Sequence, residues 1–177
     1  MMELEHKFSR LSCDIALKDG HIIEGYASLF DAVDQGNDVV ARGAYAASLA
    51  KRSGVKMLWQ HDPAQPIGIW DELREDDRGL WVKGRILTDV EKGREAAALI
   101  AAGAIDGLSI GYRTVKSTKT NQGQRLLTEV ELWEVSLVTF PMLPEARVAG
   151  KSDEALTTDL RDLADAFRQA SAALIPD

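Results

Sequence analysis

The stretch Gly107-Leu108-Ser109-Ile110-Gly111, continued by Tyr112-Arg113-Thr114-Val115, decides how this chain is read. Its first five residues satisfy G-x-S-x-G, a pattern that presents a nucleophilic serine on a sharp strand-to-helix elbow. An elbow needs a helix after the serine, but Ile110 to Val115 continue as a strand. The elbow fold also places its histidine after the serine, and this chain has none beyond His61. The esterase reading fails on both counts. What remains is a serine inside a β-strand, flanked by glycines, with histidines only upstream.

Working outward, strand 106–117 leads to a turn at Asn121-Gln122-Gly123-Gln124 and a long strand 125–140, stopped by Pro141. Upstream, 89–102 reads as a helix, with a Thr88/Asp89 cap, Glu91 in its first turn and Gly103 at the C′ position. Pro66-Ile67-Gly68-Ile69-Trp70 and the stretch 79–87 pair around the polar turn Glu75-Asp76-Asp77-Arg78. Val55-Lys56-Met57-Leu58-Trp59 is a short buried strand entering the turn Gln60-His61-Asp62-Pro63. A small-residue helix over 43–51 carries Tyr45 and Leu49 on one face. The first 35 or so residues form a hairpin about Asp19-Gly20. Roughly seven strands and two internal helices, paired locally, predict a mainly β fold with flanking helices (α+β), a small barrel or folded sheet.

The tail has a different character. Residues 144–151 read as a linker, and Ser152 caps a helix whose Leu156, Leu160, Leu163, Phe167, Ala170 and Leu174 form an a/d seam. This divides the chain into a domain over 1–148 and a linker with an amphipathic helix over 149–177. Two readings of the seam are open: docking on its own domain, or pairing with a second copy or a scaffold-like partner.

With 177 residues, 45% of them hydrophobic and 28% charged, the chain can bury a core of ordinary size. A net charge of -7 without a Lys/Arg cluster argues against nucleic acid as a partner. Cys13 is alone, and no His or carboxylate set has ligand spacing, so neither a disulfide, a metal nor a cofactor is expected. The start Met1-Met2-Glu3-Leu4-Glu5-His6 lacks a basic, apolar leader, and no run approaches the ~20 apolar residues of a span. A protein without membrane attachment, either cytosolic or packaged inside something that assembles in the cytosol, is the expectation.

A serine nucleophile requires a base, a group that orients the base, and donors for the developing oxyanion. His6 lies near the terminus and His21 follows a hairpin turn, where solvated polar residues are ordinary. His61 stands where a buried strand end meets Asp62-Pro63, a loop position held by rigid structure. A structural histidine would also fit there. If the turn after strand 106–117 centres on Gln122-Gly123, paired residue numbers sum to 245, so that Gly111 faces Glu134 and Ser109 faces Ser136. Glu134 then shares the serine's face one diagonal step away, ~7–8 Å, leaving room for an imidazole. The alternative for Glu134, a surface charge, is weakened by its setting between Leu132-Trp133 and Val135, where a carboxylate needs a partner. Gly111 permits close backbone approach. Arg113, two residues on, is either a support to the site or a surface cation.

Four segments in order carry a resemblance. Leu58-Trp59-Gln60-His61-Asp62-Pro63, then Gly79-Leu80-Trp81-Val82, then Gly107 to Tyr112, then Trp133-Glu134-Val135-Ser136-Leu137-Val138-Thr139-Phe140-Pro141 resemble the prohead serine proteases of tailed phages and phage-like particles. Asp38-Val39-Val40 through Gly43-Ala44-Tyr45 and Leu49 matches the family's early segment. The resemblance covers about residues 22 to 148. It implies a fold like the herpesvirus assemblin proteases, a β-barrel surrounded by helices, and a catalytic Ser and His matching Ser109 and His61. Herpesvirus relatives use a second histidine as the third member; none here fits, and Glu134 is chosen. Gly111 and Arg113 are the candidates for oxyanion support. The resemblance further implies cleavage of the major capsid protein, of any scaffold and of the protease itself, self-association, and a location inside assembling proheads in the host cytoplasm. A non-catalytic capsid-assembly protein on the same fold is the rival reading.

Overall fold

The computed structural model describes residues 5–7, 16–18, 21–34, 36–51 and 54–139. The expected tail helix, linker and second domain lie outside them. Nine strands in one curled half-barrel sheet make up most of the described chain: β1 (Glu5–Lys7), β2 (Ala16–Lys18), β3 (Ile22–Leu29), β4 (Asp38–Val40), β5 (Lys56–Trp59), β6 (Asp62–Glu75), β7 (Gly79–Ile86), β8 (Gly107–Lys119) and β9 (Arg125–Val138). Their order is β1-β8-β9-β5-β6-β7-β3-β2, with β4 also against β9. Helices α1 (Ala46–Ala50) and α2 (Glu91–Ala101) flank the sheet. This is the mainly β architecture expected, with two short strands, β1 and β4, beyond the seven counted from sequence.

Alternation explains the burial. In β7 Leu80, Val82 and Ile86 point inward, and in β8 Leu108, Ile110 and Tyr112 do the same. They meet Met57, Leu132, Val135 and Leu137 in one continuous core. At roughly 1.5–3 kcal/mol per fully buried large apolar side chain, this core is what keeps the sheet curled.

Strand β9 organises the molecule. One edge pairs antiparallel with β8. The other pairs parallel with β4 at Arg125 to Leu127 and parallel with β5 at Glu134 to Leu137. Between those two short partners the edge would be bare. The α1 segment fills the gap: Val130 N–H donates to the Ala44 carbonyl at 3.0 Å and Leu132 N–H to Ser48 Oγ at 2.9 Å. Backbone donors in a buried edge require such partners. Tyr45, fully buried, and Leu49 hold the helix down on one face, as their spacing predicts.

Two local expectations are corrected. α2 starts at an N-cap of Val90, with no side-chain cap from Thr88 or Asp89, while Gly103 does take the left-handed C′ conformation, φ 70°. The β8–β9 turn spans Thr120 to Gln124, so pairs beside it, such as Lys119 with Arg125, sum to 244 rather than 245.

Candidate active site

The register that matters is nonetheless the expected one. Gly111 pairs with Glu134, Ile110 with Val135 and Ser109 with Ser136, all summing to 245, because the ladder shifts by one residue between Tyr112–Leu132 and Gly111–Glu134. The extra residue in β9 is Trp133, which is half exposed. Without this bulge Glu134 would stand opposite Ile110 and turn into the core. With it, Glu134 and Ser136 lie on the face that Ser109 shares. Bulges of this kind re-aim side chains beside functional sites.

His61 reaches the same face through a different pairing. β5 and β6 are joined by the two-residue turn Gln60-His61, closed by Trp59 opposite Asp62. Both turn residues have positive φ, 53° and 62°, as a type I′ hairpin turn demands. Neither is glycine, and each non-glycine residue in this region costs about 1–2 kcal/mol. β9 holds the strained turn in place. Gln60 N–H donates to the Leu137 carbonyl at 2.9 Å, and the Gln60 side chain clasps Thr139, donating to its Oγ1 at 2.5 Å and accepting its N–H at 3.3 Å.

The result is a closed ring of hydrogen bonds. His61 Nδ1 lies 2.6 Å from Glu134 Oε1, the Ser136 hydroxyl donates to Glu134 Oε2 at 2.5 Å, and His61 N–H donates to Ser136 Oγ at 3.2 Å. An amide N–H can only donate, so Ser136 accepts it and directs its own proton to the carboxylate. With Nδ1–H donating to Oε1, the imidazole presents Nε2, also shielded from solvent, as its basic nitrogen. Glu134 is 3% exposed, so the surface-charge alternative does not hold.

Of the other residues singled out by sequence, Ser109 is fully buried in mid-strand, directly across from Ser136. Gly111 leaves the space that Glu134 uses: a Cβ there would sit 2.1 Å from Glu134 Oε1. Arg113 lies opposite Glu131, which it grips through Nε at 2.9 Å and Nη2 at 2.6 Å. Hydrogen bonding from Arg113, helped against the opposing effect of burial by a hydrogen bond from Trp133 and the arginine's charge, keeps the Glu131 carboxyl below its ordinary value. No group of three or more His, Cys, Asp or Glu that could hold a metal occurs among the described residues. No helix among them is long and apolar enough to cross a membrane. Sequence reasoning had Ser136 only as a pairing partner and gave Gln60 and Thr139 no role. Their contribution depends on a turn and a strand end meeting in space, for which no local pattern exists.

A serine and a carboxylate-bound histidine brought to one face of a curled sheet are groups with which a serine-type hydrolase could work. The particular family follows from comparison with known proteins. The Caudovirus prohead serine protease family matches residues 9–160, and the chain belongs to it. The prohead protease of Enterobacteria phage HK97 is 32% identical over 154 residues, covering 84% of this chain and 68% of that protein. A capsid polyprotein of Pseudomonas phage PAJU2 is 28% identical over 155 residues, which cover 83% of this chain but 22% of the polyprotein. The bacteriophage T4 capsid assembly protease superposes with a TM-score of 0.61 at 19% identity, covering 78% of this chain and 97% of that one, a likeness of fold. The varicella-zoster virus protease aligns over 70% of this chain and 60% of its own at 13% identity and a TM-score of 0.44. The activity is thus that of a capsid-maturation serine protease, and a purely scaffolding role is not favoured.

Proposed function

We propose that Ser109, His61 and Glu134 form the catalytic triad of this protease. The single observation carrying the reading is the 2.6 Å bond between His61 Nδ1 and Glu134 Oε1, made on the face of the sheet to which Ser109 belongs. In this mechanism Ser109 Oγ attacks the scissile carbonyl while His61 Nε2 takes its proton. The same nitrogen then returns the proton to the leaving amine, and water repeats the sequence on the acyl-enzyme. Glu134 holds the tautomer throughout and stabilises the transient imidazolium. Gly111 contributes by leaving room for the carboxylate. Arg113, fixed by Glu131, adds positive charge two residues further along the same face.

The substrates in this reading are capsid proteins, with any scaffold and the protease's own linker as further targets, cut inside assembling proheads. The names of the HK97, T4 and PAJU2 relatives, a prohead protease, a capsid assembly protease and a capsid polyprotein, support it. Co-expression with the neighbouring capsid protein, as wild type and as Ser109→Ala, tests it by intact mass. Shortened capsid protein with the wild type alone is the expected result. Equal processing by both would reject Ser109 as the nucleophile.

A further inference from the structure

We propose that Ser136 is a positioning residue for this reaction, whose hydroxyl locks the backbone of the His61 turn to the Glu134 carboxylate. The inference rests on the triad reading above and extends it to a residue outside the triad.

The argument begins with what an unassisted pair would do. A carboxylate that meets an imidazole through one oxygen is free to swing about its last torsion, which is broad and weakly restrained. A histidine in a two-residue turn with φ 62° is held against strain. Either freedom would let the imidazole rotate or exchange tautomers. Ser136 removes both. Its proton goes to Glu134 Oε2, which fixes the plane of the carboxylate and turns Oε1 toward Nδ1. Its lone pair receives the His61 N–H at 3.2 Å, which pins the turn from which the ring projects.

A residue of another type would not serve. β9 around this point reads Val135, Leu137 and Val138, all buried, so a polar side chain at 136 must find its partners within the protein. Ser136 is itself fully buried, so its hydroxyl answers to the ring and not to solvent. A hydroxyl is also the smallest group that can accept from an amide and donate to a carboxylate at once. Its position directly opposite Ser109 puts this lock beside the nucleophile, across the β8–β9 ladder. Second-sphere partners of this kind matter because small misplacements of a base are costly in rate.

The decisive experiment separates positioning from packing and from the triad reading itself. In a Ser109→Ala background, which prevents self-cleavage, nitrogen NMR of histidine-labelled protein reads the His61 tautomer, assigned by loss of its signal in His61→Gln. We expect a dominant Nδ1–H form that becomes a tautomer mixture when Ser136→Ala is added. With Ser109 intact, Ser136→Ala should lower kcat on a capsid-derived peptide by about 10- to 100-fold, leave KM within about twofold, and shift the acid limb of the pH profile. Ser136→Cys, close in size but a weak donor, should fall between serine and alanine, and it carries the test if the alanine variant does not fold. An unchanged tautomer would overturn the proposal, as would a Ser136→Ala enzyme with kcat within about twofold of wild type per folded molecule. If instead wild type and Ser109→Ala cleave equally, the triad assignment fails, and that result is distinct from either of these.

Discussion

Gly111→Ala is the sharpest perturbation the site offers, because it adds one methyl group at a position where the geometry leaves no space. The new carbon would lie 2.1 Å from Glu134 Oε1, 2.8 Å from its Cδ and 2.9 Å from its Cγ. Ordinary carbon–oxygen contacts begin near about 3.3 Å, so the carboxylate must retreat by roughly 1 Å or more. On an exposed, flexible side chain such a retreat would cost little. Glu134 is buried and tethered at both oxygens, to His61 Nδ1 and to the Ser136 hydroxyl. Hydrogen bonds to charged groups contribute about 1.5–3 kcal/mol each, and partial relaxation recovers some of that loss, so about 2–4 kcal/mol of destabilisation is expected. That corresponds to roughly 5–15 °C in melting temperature for a protein of this size. If Glu134 orients His61 as proposed, displacing it by about 1 Å should also lower kcat about 100-fold. Thermal denaturation and peptide cleavage measure the two effects. The cause is isolated by repeating Gly111→Ala in a Glu134→Ala background, where the colliding atoms are gone and the added methyl should cost little. Full activity and stability in Gly111→Ala, or an equal cost in both backgrounds, would refute the reasoning.

Other expectations follow from the same contacts. Gln60→Ala removes the clasp on Thr139 while keeping a non-glycine residue at φ 53°. Gln60→Gly removes the clasp but relieves the strain, so the alanine variant should be the less stable by about 1 kcal/mol in denaturant titrations. Burial pushes the Asp76 carboxyl up, but the Tyr26 hydroxyl, the Arg78 and Gly79 N–H groups and Arg74 together bring it below its ordinary value. Its stabilising contribution is therefore present above the ordinary carboxylate range and lost as pH falls through the lowered value. Asp76→Asn should be less stable than wild type near neutrality, with the gap closing in acid. Burial drives the Tyr45 phenol far above its ordinary value, and its hydroxyl makes no hydrogen bond of ordinary geometry. Stability from this group is intact below the unfolded phenol's value of about 10 and is lost as pH rises beyond it, about 1.4 kcal/mol per pH unit. Tyr45→Phe should flatten that alkaline loss in unfolding curves measured across pH.

The single pair His61–Glu134 joins residues 73 positions apart, and how far it was legible in the sequence differs for its two members. The chemistry of the residues was readable. A mid-strand serine after Gly107, a histidine at a strand end and a carboxylate among apolar neighbours each stand out, because burial of such groups demands a purpose or a partner. The hairpin joining β8 to β9 was readable too, since alternation and a glycine-containing turn are local signals. The pairing of Gly111 with Glu134 was inferred correctly at the site but from a turn placed half a residue away. The true turn gives 244, and at the site it is the Trp133 bulge that restores 245. A bulge leaves no periodic trace, because it is stabilised by the core that takes Leu132 and Val135 to the same side while Trp133 stays out.

Sequence alone thus determined the kinds of residues available, the mainly β character and the local hairpins, all of which rest on short-range periodicity and side-chain chemistry. Tertiary structure decided the parallel docking of β5 on β9, which carries the Gln60-His61 turn to Glu134 and Ser136. It also decided the bulge that turns Glu134 to the face shared by Ser109 and His61. Both depend on strands distant in the chain sharing one core, and the free energy of that sharing is a property of the packed sheet rather than of any segment within it.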